Sequence, residues 1–214
     1  MLKGVLFDMD GVLVDSEEFI CQAAVQMFTE KGLWVKEEDF LPFVGTGENR
    51  YIGGVAEKYG LELDITEAKA RTYSIYSELV KGKLEPLPGV YNFIDICKQK
   101  KIKIAVATST DEVKMNINLK EINLGGNIFD TTINGLEVER KKPFPDIFLQ
   151  AAEKMGLKAD ECLVIEDAVS GVEAAKSAGC KCLALTTSFT PNELSEADWI
   201  CKNLATYPVE AINW

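Results

Sequence analysis

Cys162-Leu163-Val164-Ile165-Glu166-Asp167 is an apolar run that stops on two carboxylates. Gly4-Val5-Leu6-Phe7 behaves alike, giving way to Asp8-Met9-Asp10-Gly11. Ile102 to Ala107 ends at Thr108-Ser109-Thr110, and Cys180 to Leu185 makes a further run. All are rich in Val, Ile, Leu and Ala and lack polar alternation, the habit of parallel strands buried on both faces. Weaker strands are expected near Phe129 to Ile133 and at Trp199-Ile200. Helix-length segments lie between them. Gly156 follows Asp146 to Met155 and Gly179 follows Gly171 to Ala178, each placed like a helix C-terminal glycine. Strand and helix repeated in this way predict a doubly wound, mostly parallel α/β sheet.

Residues 15–85 break the rhythm. Asp15 and Glu18 have capping-box spacing, ahead of a helix whose apolar face carries Phe19, Ala23 and Met27 and which ends at Gly32. Further helices are expected over Tyr51 to Tyr59 and Thr66 to Val80, and Pro86-Leu87-Pro88-Gly89 turns the chain back. The expectation is a core of residues 1–14 and 86–214. A small all-helical cap, residues 15–85, is inserted after the first strand.

The 214 residues are 47% hydrophobic and 27% charged, ample for a core. A net charge of −11 argues against nucleic acid or an anionic membrane as partner. No apolar stretch is long enough to span a bilayer, and no leader is expected at Met1. The six cysteines are scattered without a Cys-x-x-Cys pair, as buried free thiols of a cytoplasmic protein would be. A monomer is expected. With no histidine in the chain, Ser-His-Asp triads, Cys-His dyads and histidine zinc sites are excluded.

Open α/β sheets bind ligands beyond the carboxyl ends of their strands. There the sequence delivers Asp8, Asp10, Glu166 and Asp167, with the hydroxyls of Thr108 to Thr110. Singly, each group could be an ordinary turn or helix cap. Gathered together they are another matter, since two carboxylates ~4 Å apart repel by about 4 kcal/mol at an effective dielectric near 20. Such a cluster takes up protons or holds a cation. An all-oxygen, histidine-free donor set suits Mg²⁺, and hydroxyl donors beside it suit a phosphate.

Four segments, in order, carry a resemblance. Asp8-Met9-Asp10-Gly11-Val12 followed by Asp15-Ser16 resembles the first signature of the haloacid dehalogenase superfamily. Thr108 closing its strand resembles the second, Lys142-Pro143-Phe144-Pro145-Asp146 the third, and Ile165-Glu166-Asp167 with Gly171 the fourth. The helical insert resembles that superfamily's small cap, and the chain is similar to β-phosphoglucomutase-like phosphatases on a Rossmann-like core. Val44-Gly45-Thr46-Gly47-Glu48 also resembles the phosphatase-like domain of plant suppressor-of-quenching proteins.

The resemblance implies Asp8 as nucleophile and Asp10 as general acid/base, its backbone carbonyl also meeting Mg²⁺. It implies Thr108, the Ser109 amide and Lys142 on the phosphoryl oxygens, with Glu166 and Asp167 completing the metal shell. Lys141 reads as a solvated neighbour of Lys142. Gly45 and Gly47 read equally as hinges or as plain loop glycines, and Arg50 as a surface residue or a contact to the distal part of the substrate. The activity implied is phosphatase action on a small phosphorylated metabolite, a sugar or polyol phosphate. A phosphosugar mutase, a non-catalytic regulatory module and a dehalogenase are the alternatives. Ile20 stands where mutases of this group carry histidine, and Asp111 where they carry a basic residue. Their cap arginine motif is not cleanly reproduced around Glu48-Asn49-Arg50. These departures favour hydrolysis.

Overall fold

The computed structural model describes residues 1–45 and 47–214; Thr46, within the Val44 to Glu48 motif, lies outside the described residues. Strands β1 (Gly4–Phe7), β2 (Lys103–Ala107), β3 (Thr131–Ile133), β4 (Cys162–Glu166), β5 (Lys181–Leu185) and β6 (Trp199–Cys201) form one sheet. Its order is β3-β2-β1-β4-β5-β6, and every neighbouring pair is parallel. The apolar runs become these strands because helices cover both faces of the sheet. Val5, Phe7, Ile104 and Ile165 face one layer, with α4 (Val90–Gln99) and α5 (Glu112–Glu121). Leu6, Ala105, Val164 and Cys182 face the other, with α6 (Asp146–Lys154) and α7 (Val169–Ala178). Phe7 meets Phe93 and Phe129 edge-on, with ring centroids 5.9 and 6.2 Å away. Fully burying a side chain of this size contributes roughly 1.5–3 kcal/mol.

Helices α1 (Glu17–Glu30), α2 (Glu48–Tyr59) and α3 (Ile65–Val80) fill the insertion between β1 and β2. Asp64 caps α3, its carboxylate accepting from the Glu67 amide at 3.0 Å. The start of α1 differs from expectation. Asp15 is exposed and makes no capping box with Glu18; Ser16 precedes the helix, and its hydroxyl donates to Asp10 instead of closing the first turn. The buried face of α1 is Ile20, Ala23, Ala24, Met27 and Phe28, so Phe19 sits at its edge.

The two crossings between insert and sheet run side by side. Val14 bridges both Asp10 and Pro86, and the Leu87 amide donates to the Leu13 carbonyl at 2.9 Å. No helix among the described residues is long and apolar enough to cross a membrane. The six thiols are unpaired, with Cys97, Cys162, Cys180 and Cys182 buried.

Candidate active site

The strand order reverses between β1 and β4, which makes the crevice beyond their carboxyl ends the switch point of the sheet. Phe7 pairs with Ile165 across these strands, so Asp8 and Glu166 leave the sheet side by side. Lys142, from the loop before α6, reaches between them. Its Nζ lies 2.5 Å from Asp8 Oδ1 and 2.5 Å from Glu166 Oε1, over the Phe148 ring. Burial works against this ammonium, yet Asp8 and Glu166 outweigh it and raise the Lys142 pKa. The Lys142-Pro143 peptide bond is cis.

Both Glu166 oxygens are occupied. Oε1 accepts from Lys142, while Oε2 accepts from the Asp167 and Ala168 amides at 2.8 and 2.9 Å. Gly171 leaves room for this carboxylate, because a Cβ there would fall 1.9 Å from it. Asp167 turns the other way, toward the first loop. A Cβ on Gly11, whose φ is +75°, would lie 1.9 Å from Asp167 Oδ2, so only glycine permits the loop to pass. Ser188 donates a hydrogen bond to Asp167. Burial, with Glu166 and Asp8 nearby, pushes the Asp167 carboxyl up to about 8. Burial, with Glu166 and Asp10, pushes Asp8 up to about 7 despite Lys142.

Asp10 faces away from this pair. Lys114 of α5 meets its Oδ2 at 2.8 Å, Thr110 at 3.3 Å, and Ser16 holds Oδ1. Burial would raise this carboxyl, but Lys114 and the two hydroxyls outweigh it and lower its pKa. Thr108 is buried at the tip of β2, its hydroxyl accepting from the Thr110 amide at 3.2 Å, and Ser109 beside it is half-buried.

Among the described residues no three acidic, cysteine or histidine side chains already surround a common centre. The donor set nevertheless fits Mg²⁺. Asp8 and Asp167 are carboxylates raised first by burial and then by Glu166, Lys142 is bonded to Asp8 and Glu166, and every available donor is oxygen. An ion that keeps several waters and a substrate phosphate in its shell needs no more than this.

The structure thus brings together Asp8, Lys142, Glu166 and Asp167 at one point, with Asp10 and the Thr108-Ser109 tip alongside. Lys114 and Ser188 escaped the sequence reading. Ser188 follows the tip of β5, where the strand-end rule would have found it. Lys114 sits three residues after Asp111, one turn into α5, and only that spacing hinted at it. Lys141, expected to be a solvated neighbour of Lys142, packs beside the start of α2. It is half-buried, and its Nζ lies 2.3 Å from where a Cβ on Gly47 would stand.

A doubly wound sheet with a helical insert places a buried lysine between two carboxylates at an all-oxygen switch point, a set of groups that an acid-based hydrolase can use. Comparisons with known proteins agree. The family model described as haloacid dehalogenase-like hydrolase matches residues 5–185. Suppressor of Quenching 1 of Arabidopsis thaliana is 42% identical over 199 residues, 92% of this chain; the chain spans only 19% of that protein. A phosphorylated carbohydrates phosphatase of Thermotoga maritima is 32% identical over 83% of this chain and 82% of its own length. The crystal structure of CbbY from Rhodobacter sphaeroides in complex with phosphate superposes with a TM-score of 0.87 at 26% identity, covering 100% of both chains. The chain belongs to the haloacid dehalogenase-like hydrolases. Relatives within that family are named as phosphatases.

Proposed function

We propose that this chain is a Mg²⁺-dependent phosphatase that hydrolyses a small phosphorylated metabolite, a sugar or polyol phosphate, as a cytoplasmic monomer. Residues 1–14 and 86–214 serve as the catalytic core and 15–85 as its cap. The observation that carries this reading is Lys142, buried and bonded to both Asp8 and Glu166 at the switch point.

Asp8 attacks phosphorus. A carboxylate–phosphorus bond forms, the bond to the leaving oxygen breaks, and an aspartyl phosphate results. Lys142 keeps Asp8 oriented and neutralises charge gathering on the phosphoryl oxygens, with Thr108 and the Ser109 amide as further donors. Glu166, expected in the metal shell, positions Lys142 instead, since both its oxygens are already engaged by Lys142 and by the Asp167 and Ala168 amides. Asp8, Asp167 and the Asp10 backbone carbonyl would hold Mg²⁺, which when bound supplies positive charge against the phosphoryl group. Asp10 passes a proton to the leaving oxygen once it has taken one up, then withdraws one from the water that cleaves the aspartyl phosphate. Its ionised state beside Lys114 suits the second of these tasks directly.

Asp111, at the position expected to be basic in a mutase, is buried and paired with Lys69 at 2.6 Å, which supports water over a sugar hydroxyl as acceptor. Purified protein assayed against a panel of phosphate esters should release phosphate with Mg²⁺ and none with a chelator. Conversion of β-glucose 1-phosphate without phosphate release would overturn the reading.

A further inference from the structure

Two carboxylates at the switch point each have one committed oxygen and one free. Asp8 Oδ1 accepts from Lys142, and among the described residues no hydrogen bond reaches its Oδ2. Asp167 Oδ2 accepts from Ser188, and none reaches its Oδ1. Glu166 differs, since both of its oxygens are engaged. Two oxygens are therefore left for an ion, one on each of the two carboxylates assigned to Mg²⁺. Each of those groups is held by a donor on its other oxygen, an ammonium for Asp8 and a hydroxyl for Asp167.

The neighbouring strand brings Ser188 there. Glu166 pairs with Ala184, so β4 and β5 end together and the chain leaving β5 passes the Asp167 turn. That passage is tied on either side of Ser188. The Thr186 amide donates to the Cys201 carbonyl at 2.9 Å, and the Thr190 amide and hydroxyl donate to Glu193 at 2.9 and 2.7 Å. Ser188 itself is exposed while Asp167 is buried, and among the described residues the serine side chain bonds Asp167 alone. Its hydroxyl thus adds nothing to the packed core. Gly11 approaches the same oxygen, since a Cβ there would stand 1.9 Å from Asp167 Oδ2. With the first loop against it and Ser188 bonded to it, Oδ2 is held, and rotation that would exchange it for Oδ1 is opposed.

We propose that Ser188 is a positioning residue of the metal site: by engaging Oδ2 of Asp167 it presents Oδ1 to the divalent cation. The proposal rests on the Mg²⁺ part of the phosphatase reading and adds to it a residue outside all four signatures. Groups that hydrogen-bond a metal ligand fix its orientation, and losing one lowers metal affinity by roughly 10–100-fold. A hydroxyl suits the task because it orients a carboxylate without adding positive charge beside the ion. Its exposure to water sets the expected effect at the lower end of that range.

The test titrates Mg²⁺ alone into the full chain by calorimetry, with no substrate present. Ser188→Ala should raise the dissociation constant about tenfold, whereas Ser188→Thr, which keeps the hydroxyl, should stay within about threefold of wild type. Thr187→Ala, at an exposed neighbour, should match wild type. Unchanged affinity in Ser188→Ala overturns the proposal, and so does an equal loss in Ser188→Thr or Thr187→Ala. If Ser188→Ala does not fold, Ser188→Cys, a weaker donor of similar size, is judged by the same criteria. A wild type that binds no Mg²⁺ brings down the metal reading and the proposal together; a wild type that binds it, with Ser188→Ala binding equally well, brings down the proposal alone. Turnover plays no part in the measurement, so failure to hydrolyse any ester would count against the phosphatase reading and leave this result standing.

Discussion

Lys114, one turn into α5 and almost wholly buried, holds the carboxylate of Asp10 at 2.8 Å. The pair joins the helix after β2 to the loop after β1, so a residue outside the signatures sets the charge state of one within them. Lys114→Met would leave Asp10 without its cation and with only the two hydroxyls as donors. Breaking a buried pair from one side costs roughly 3–5 kcal/mol, and the partial exposure of Asp10 reduces that to about 2–3. Urea unfolding at pH 7 should show this loss, together with a fall in kcat of tenfold or more.

Gly11→Ala tests the packing of the first loop on Asp167. The new Cβ would require φ of +75° and would meet a carboxylate oxygen at 1.9 Å. We expect a loss of about 1–3 kcal/mol from the backbone alone. Displacement of Asp167 should also raise the Mg²⁺ concentration needed for half-maximal activity, measured by metal titration. Unchanged metal dependence would disconnect Asp167 from the ion.

Asp8→Asn should abolish turnover while leaving the fold intact. Burial already disfavours the Asp8 anion, and Lys142 keeps Glu166 as partner when the charge is removed. Phosphate release should drop at least about a thousandfold, with the midpoint of thermal unfolding at pH 8 not lowered. Full residual activity would refute Asp8 as nucleophile.

Asp39 supplies the pH-dependent test within the insert. Its carboxylate accepts from Lys58 at 2.5 Å, Tyr59 at 2.6 Å and the Lys36 amide at 2.8 Å, and these bonds, Lys58 first, lower its pKa to about 2. A depressed folded-state pKa stabilises the fold above the unfolded value near 4 and ceases to do so as pH falls through about 2. Asp39→Asn should therefore be less stable than wild type at pH 7, and urea midpoints should converge between about pH 4 and 2.

Much of the site was legible because strand ends are legible. An apolar run announces a buried strand, and its next residue stands at the sheet edge, so Asp8, Thr108 and Glu166-Asp167 could be gathered before any coordinates. The capping box at Asp15 and Glu18 was misread for a reason of the opposite kind. Ser16 has a partner outside its own helix, and the hydrogen bond to Asp10 replaces the local one that spacing suggested. The individual jobs of Glu166 and Asp167 were illegible too, since adjacent residues at one strand tip turn to opposite sides.

By itself, the order of residues determined the doubly wound sheet, the insertion of helices after β1 and the carboxylate-rich edge. Those features follow from burial and periodicity, which are local properties of a chain. Only the packing decided that Lys114 is buried, that Lys141 approaches Gly47, and that Glu48 and Tyr73 are buried between the insert and the sheet. A lysine or glutamate on a helix reads as solvated until another element covers it. What covers these residues is brought in by contacts between α2, α3 and α5 that no sequence window contains.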